Sequence, residues 1–301
     1  MSPDVVVGTV GDDDGGPAMP GRVATARAAL PPDLPPAGPD LLVALDIDGT
    51  LLSHEQVLSP AVRAAVRALD DAGAHVVLST GRSLSAVTPV LAELDLVTGW
   101  AVCSNGAVCL RLDPALDGGY EISDVVTFDP EPALRLLRAE LPEGRFAVED
   151  LGRGFKVSEP FPAGELSGEV HVVDFEELCA SPASRVTLRA PHLSAEDFHA
   201  LVERVGLHGV SYAVGWTAWL DLAPDGVSKA SALEMLRGRL GVGPRATLAM
   251  GDGRNDIEML RWAAHGVAMG GADDVTRAAA DALTDAVEDD GAVPVLRALL
   301  G

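Results

Sequence analysis

Leu41-Leu42-Val43-Ala44-Leu45 is an apolar run of strand length that stops abruptly at Asp46-Ile47-Asp48-Gly49-Thr50-Leu51. A strand apolar on both faces belongs inside a parallel sheet with helices covering each side. That requirement confines the chain to the α/β folds. Their ligands sit at the carboxyl edge of the sheet, where Asp46 and Asp48 emerge. Residues i and i+2 of an extended strand point the same way, so the two carboxylates converge if the strand geometry persists that far. One could attack an electrophile while the other moves a proton, with a metal ion holding the charges together. Taken alone, the segment fits a strand and a polar Asp-Gly turn equally well.

Three later segments remove the ambiguity. His75-Val76-Val77-Leu78-Ser79-Thr80-Gly81-Arg82 is a second apolar strand, ending in hydroxyls, a glycine and an arginine. Gly226-Val227-Ser228-Lys229-Ala230 places a lysine at the opening of a helix. Ala246-Thr247-Leu248-Ala249-Met250-Gly251-Asp252-Gly253-Arg254-Asn255-Asp256 is a third strand, leaving into a glycine and acidic loop before the helical Ile257-Glu258-Met259-Leu260. In this order DxDGT, STGR, a lone lysine and GDxxND resemble the four motifs of the haloacid dehalogenase-like (HAD) phosphatase superfamily. Ser104-Asn105-Gly106-Ala107 and Gly266-Val267-Ala268-Met269-Gly270 are similar to its Cof-type branch of small-metabolite phosphatases. The resemblance spans most of residues 41–301.

The resemblance implies a chemistry for each motif. Asp46 is the expected nucleophile, forming an aspartyl-phosphate that divides a very slow hydrolysis into two steps. Asp48 is the expected general acid and then base. An acid at that position marks the phosphatases and mutases of the superfamily, whereas its transport ATPases carry threonine. Lys229 would neutralise the nucleophile and the transferring phosphoryl group. The expected phosphate contacts are Thr80, Gly81, Arg82, Asn105 and Asn255, with Gly81 allowing close backbone approach and Arg82 either touching substrate or pairing with a carboxylate. Hard oxygen donors suit Mg²⁺. Its expected ligands are the Asp46 carboxylate, the Asp48 backbone carbonyl and the Asp252 carboxylate, with Asp256 orienting a bound water or a ligand. The chain holds only two lysines, Lys156 and Lys229, against twenty arginines. One of the two falls on the motif position.

The expected fold is α/β: a doubly wound, Rossmann-like parallel sheet with an inserted α+β cap. Strand 41–46, helix 60–72, strand 75–79, helix 83–94 and strand 100–103 alternate as such a sheet requires. From about residue 110 the rhythm changes, with strand-like pieces around 120–128, 145–149, 154–158 and 184–190 and helical patterns at 130–140 and 194–205. The boundaries read from this are a core over 41–109 and 219–301 and a cap over 110–218, with Trp219-Leu220-Asp221-Leu222 returning the chain to the core. The cap is expected to close over the site and exclude water. Residues 1–40 carry Asp12-Asp13-Asp14 and prolines at 31, 32, 35, 36 and 39, and read as a disordered tail.

A net charge of −23 argues against nucleic acid as a partner. No apolar run reaches the ~20 residues of a membrane span, and the amino terminus lacks the basic and apolar stretches of a signal peptide. The cysteines, Cys103, Cys109 and Cys179, lack metal-ligand spacing and fit a reducing cytoplasm as small buried hydrophobes. None of the seven histidines forms a ligand pair; Trp216 and Trp219 either pack in the core or line a pocket. Within these bounds the resemblance implies a cytoplasmic, Mg²⁺-dependent phosphatase of small phosphorylated metabolites, sugar phosphates foremost, acting as monomer or homodimer without membrane or nucleic-acid partners. A phosphomutase and a non-catalytic binding or regulatory protein on the same fold are the alternatives. Specificity would come from the cap, where Arg153, Lys156, Arg185 and Arg189 could grip a second anionic group.

Overall fold

The computed structural model describes residues 19–214 and 218–301, with the backbone alone at 195, 199, 203, 213 and 214. Trp216, residues 1–18 of the expected tail and the His199 side chain lie outside the described residues.

From its first described helix, α1 (Met19–Ala29), the chain alternates through β1 (Leu42–Leu45), α2 (Pro60–Asp71), β2 (His75–Ser79), α3 (Leu84–Glu93) and β3 (Gly99–Cys103). A hairpin of β4 (Val108–Leu112) and β5 (Tyr120–Val125) follows. The inserted segment carries α4 (Glu131–Glu140), β6 (Arg145–Asp150), β7 (Gly154–Val157), β8 (Glu169–Val172), α5 (Phe175–Cys179), β9 (Val186–Arg189), α6 (Ala195–Val205), β10 (Val210–Val214) and β11 (Trp219–Pro224). The chain closes with α7 (Lys229–Leu240), β12 (Thr247–Gly251), α8 (Ile257–Trp262), β13 (His265–Ala268), α9 (Asp274–Arg277), β14 (Ala282–Leu283) and α10 (Ala292–Ala298).

The core sheet runs β14-β13-β12-β1-β2-β3-β4-β5. Its pairings are parallel from β14 to β3 and antiparallel from β3 to β5. The apolar run of β1 is divided between two cores. Leu41, Val43 and Leu45 pack with α2, α3 and α10 on one face, whereas Leu42 and Ala44 pack with α7 and α8 on the other. Local signals agree with this packing. Ser59 caps α2 by accepting the Val62 N–H at 3.1 Å, ahead of Pro60 at the first turn. The helix then buries Val62, Ala65, Val66 and Leu69. A second sheet, β10-β11-β9-β6-β7-β8, carries its own core of Leu134, Leu137, Phe146, Leu188, Phe198 and Leu220 under α4, α5 and α6.

Three sequence expectations need correction. The β4–β5 hairpin extends the core sheet, so the insertion begins after 125 rather than at 110. Trp219-Leu220-Asp221-Leu222 pairs with β9 and β10 in the second sheet, so the chain re-enters the core only at α7. Alternating apolar residues reveal a strand without saying which sheet takes it. Residues 19–40 are not a disordered tail: Met19, Ala26, Leu30, Leu34 and Ala37 pack against the core. Arg22 Nη2 lies 2.6 Å from Asp285 Oδ2, and the Ala37 N–H donates to the Leu299 carbonyl at 2.8 Å. Among the described residues no helix is long and apolar enough to cross a membrane.

Candidate active site

The four motif segments meet at the carboxyl edge of β1, β2 and β12. Asp46 leaves β1 buried, and Lys229, at the first turn of α7, reaches it through the core. Lys229 Nζ donates to Asp46 Oδ1 and to Asp256 Oδ1, both at 2.6 Å. Ser228 caps α7 in a reciprocal pair with Ser231, which fixes where the lysine enters. Gly106, at φ +105°, permits this approach: a Cβ there would stand 2.2 Å from the Ser228 carbonyl oxygen. Gly49 plays the same part at φ +77°, where a Cβ would meet Asp252 Oδ2 at 2.2 Å. Asp256 turns its other oxygen to the N–H groups of Asp252 (3.1 Å) and Gly253 (2.9 Å), binding the acidic loop to the lysine.

The charges are tightly interdependent. Burial, reinforced by the Asp256 charge, raises the Asp46 carboxyl well above the ordinary aspartate value, with Lys229 opposing. Burial and Asp256 also push Asp252 up to about 7. Burial opposes the Lys229 charge, yet Asp256 and Asp46 together hold its pKa above the usual lysine value. Oxygens of Asp46, Asp252 and Asp256 lie within 4.8 Å of one another. Three buried carboxylates against one lysine leave a deficit of positive charge, and an all-oxygen donor set of this kind fits a hard divalent cation.

Asp48 stands at the mouth, half exposed. Arg82 grips it with two bonds, Nε to Oδ2 at 2.8 Å and Nη2 to Oδ1 at 2.6 Å. Gln56 Nε2 adds a third at 2.9 Å. Burial works against ionisation here, but the Arg82 and Gln56 hydrogen bonds outweigh it and hold Asp48 below the usual carboxylate range. Of the two readings left open for Arg82, the structure has it paired with a carboxylate. Thr80 is buried, its hydroxyl accepting the Arg82 N–H at 3.0 Å. Asn255 donates to Asn105 Oδ1 at 3.0 Å, and a Cβ at Gly81 would press on that same oxygen at 3.1 Å. Asn105 itself is left-handed at φ +53°.

Asp46, Asp48, Gln56, Thr80, Gly81, Arg82, Asp252 and Asn255 floor a cavity of about 1000 Å³, which Asn105 and Lys229 do not line, roofed by the insertion through Phe155, Glu165, Arg185, Trp219 and Asp221. Trp219 therefore takes the pocket-lining role. The sequence reading did not find Gln56, on an unmarked loop between β1 and α2, nor Phe155, Glu165 and Asp221, which belong to no motif. Only Arg185 and Trp219 were named there among the roof residues.

The buried lysine–aspartate pair stands at the carboxyl edge of an α/β sheet, where such folds bind their ligands, beneath an α+β roof. The family model for haloacid dehalogenase-like hydrolases matches residues 43–118 and 176–296, and the chain belongs to that family. A 5-amino-6-(5-phospho-D-ribitylamino)uracil phosphatase of Bacillus subtilis is 28% identical over 269 residues, covering 85% of this chain and 94% of its own. A phosphoglycolate phosphatase of Natronomonas pharaonis is 30% identical over 256 residues, covering 84% and 95%. Among solved structures, a HAD-superfamily phosphatase from Bacteroides thetaiotaomicron superposes with a TM-score of 0.68 at 27% identity, covering 89% of this chain and 99% of that one.

Proposed function

We propose that this hydrolase is a Mg²⁺-dependent phosphatase of small phosphorylated metabolites, with Asp46 as nucleophile and Asp48 as acid and base. The observation that carries the reading is the buried contact between Lys229 Nζ and Asp46 Oδ1 at 2.6 Å, placed at the floor of a substrate-sized cavity. Lys229 opposes the burial and the Asp256 charge that raise the Asp46 carboxyl, and so favours the anion that must attack. In the first step an Asp46 oxygen bonds to phosphorus, the bond to the leaving oxygen breaks, and Asp48 gives that oxygen its proton. In the second, Asp48 takes a proton from water, the water oxygen bonds to phosphorus, and the Asp46–phosphorus bond breaks to release inorganic phosphate.

Arg82 supports both halves. Bound to Asp48 it favours the ionised form, which accepts the proton from water. Turned toward the phosphate oxygens it releases Asp48 to carry a proton. Thr80 and Asn255 line the same floor as hydrogen-bond partners for the phosphate, Asn105 would reach it from beside Asn255, to which it is bonded, and Gly81 leaves them space. Asp46, the Asp48 carbonyl and Asp252 would hold Mg²⁺, with Asp256 fixing Lys229 and the loop that bears Asp252. When bound, the ion would supply the positive charge that one lysine cannot.

Relatives named as phosphatases of pyridoxal phosphate, HMP-PP and phosphoglycolate support the substrate class, small phosphorylated compounds. Buried free thiols at Cys103, Cys109 and Cys179 support a reducing, cytoplasmic setting. The test is phosphate release from a panel of sugar and other small phosphomonoesters, with Mg²⁺ and with chelator, on wild type and Asp46→Asn. Mg²⁺-dependent release that falls to background in Asp46→Asn is the expected result. Substantial residual release in the variant would overturn the nucleophile assignment. Interconversion of sugar phosphates without accumulation of free phosphate would replace the phosphatase with a mutase.

A further inference from the structure

The basic residues of the cap do not form an anion grip. Lys156 Nζ lies 2.9 Å from Glu177 Oε1, Arg189 Nε lies 3.2 Å from Glu165 Oε1, and Arg185 Nη2 lies 2.8 Å from Asp221 Oδ1. Arg153 is not among the residues lining the cavity. Among the described residues, the charged side chains that the cap presents to the cavity are Glu165, Arg185, Glu196 and Asp221, three carboxylates to one guanidinium.

The engagement of that guanidinium sharpens the asymmetry. Arg185 Nε donates to Asp221 Oδ1 at 2.9 Å, and Thr187 Oγ1 donates to the same oxygen at 2.8 Å. Among the described residues Glu165 Oε2 is buried without a partner. A carboxylate oxygen accepts and cannot donate, and left unpaired in a buried wall it is unfavourable. An N–H or O–H relieves it; a second anion aggravates it. The Phe155 ring on the same wall already has the Arg185 guanidinium 5.9 Å from its centroid, and Trp219 adds an aromatic surface that favours a cation over an anion.

Resting on the phosphatase reading above, we propose that the cap selects phosphomonoesters whose leaving group carries an ammonium or hydroxyl donor, and rejects those bearing a second anionic group. Phosphoglycolate, named for the Natronomonas relative, falls in the rejected class.

The test measures hydrolysis of para-nitrophenyl phosphate by the Mg²⁺-loaded full chain. Three competitors of nearly equal size are added in turn: phosphoethanolamine, hydroxyethyl phosphate and phosphoglycolate. The expected order of inhibition is amine, then hydroxyl, then carboxylate, with at least about tenfold between the extremes. Asp221→Asn should narrow that ratio several-fold, because it removes one carboxylate and frees Arg185. Glu165→Gln should narrow it independently, and serves if the Asp221 variant does not fold. Phosphoglycolate competing as well as phosphoethanolamine overturns the inference while leaving the phosphatase reading intact. A ratio unmoved in both variants overturns it as well. Failure of the wild type to release phosphate from para-nitrophenyl phosphate or from any of the three competitors removes the phosphatase reading, and this inference with it.

Discussion

At the scale of single residues the site is a set of carboxylates held against their preference, and Asp252 is the clearest case. Its folded pKa of about 7 stands above the ordinary value of 3.8. In the metal-free protein it therefore keeps a proton that the unfolded chain gives up near pH ~4. A raised carboxyl pKa makes ionisation a cost to the fold, so this group's contribution to stability falls as pH rises from ~4 to about 7 and is level beyond. Chelator-treated wild type should lose melting temperature relative to Asp252→Asn across that window. A divalent cation that displaces the proton should remove the difference. Parallel melting curves for the two proteins would refute the assignment. Asp46, Asp48, Lys229 and Asp252 were legible in the sequence because each sits on a strand exit or helix start fixed by its own glycine or cap. Gln56 was not, because its place beside Asp48 depends on how an irregular loop folds back. Asp221 was not, because its orientation toward the cavity is decided by β9 pairing across the cap sheet.

At the scale of elements, the alternation of β1, α2, β2, α3 and β3 was readable because both faces of the sheet are buried and the helices carry their own apolar stripes. β8 was not found: all four of its residues are exposed, so no burial pattern marks it. The boundary between core and cap escaped for a related reason, since an antiparallel hairpin reads the same whichever sheet it joins. That junction carries a device with no sequence signal at all. Glu149, on β6 of the cap, is buried and accepts from Ser104 Oγ of the core turn at 2.6 Å and from Ser184 Oγ at 3.2 Å. Ser104 is itself left-handed at φ +49° and adjoins Asn105, so the carboxylate ties the cap to a strained turn of the active site. Glu149→Ala leaves both hydroxyls buried without an acceptor and should cost about 1–3 kcal/mol in urea unfolding. It should also lower kcat/KM. Glu149→Gln, which keeps an acceptor oxygen, should recover most of both. Equal losses in the two variants would mean that the charge, not the hydrogen bond, holds the junction.

At the scale of the whole molecule, the net charge of −23 opposes the approach of a phosphate-bearing substrate. Lys229 is the local counterweight, but it is buried and already shared between Asp46 and Asp256, so it projects little positive field into solvent. The distant approach is therefore governed by the acidic surface, and the final docking by the floor of the cavity. Salt separates the two. Raising ionic strength from about 0.01 to about 0.15 M shortens the screening length from about 30 to about 8 Å. That range spans the distance over which surface carboxylates repel an incoming anion, yet leaves contacts inside the cavity almost unscreened. At constant free Mg²⁺, kcat/KM for a dianionic phosphomonoester should rise several-fold over this range while kcat stays level. A leaving group carrying an ammonium lowers the net charge of the substrate and should weaken the dependence. A fall in kcat/KM with added salt would mean that the loaded site attracts substrate from a distance, and that the acidic surface acts on solubility rather than on encounter.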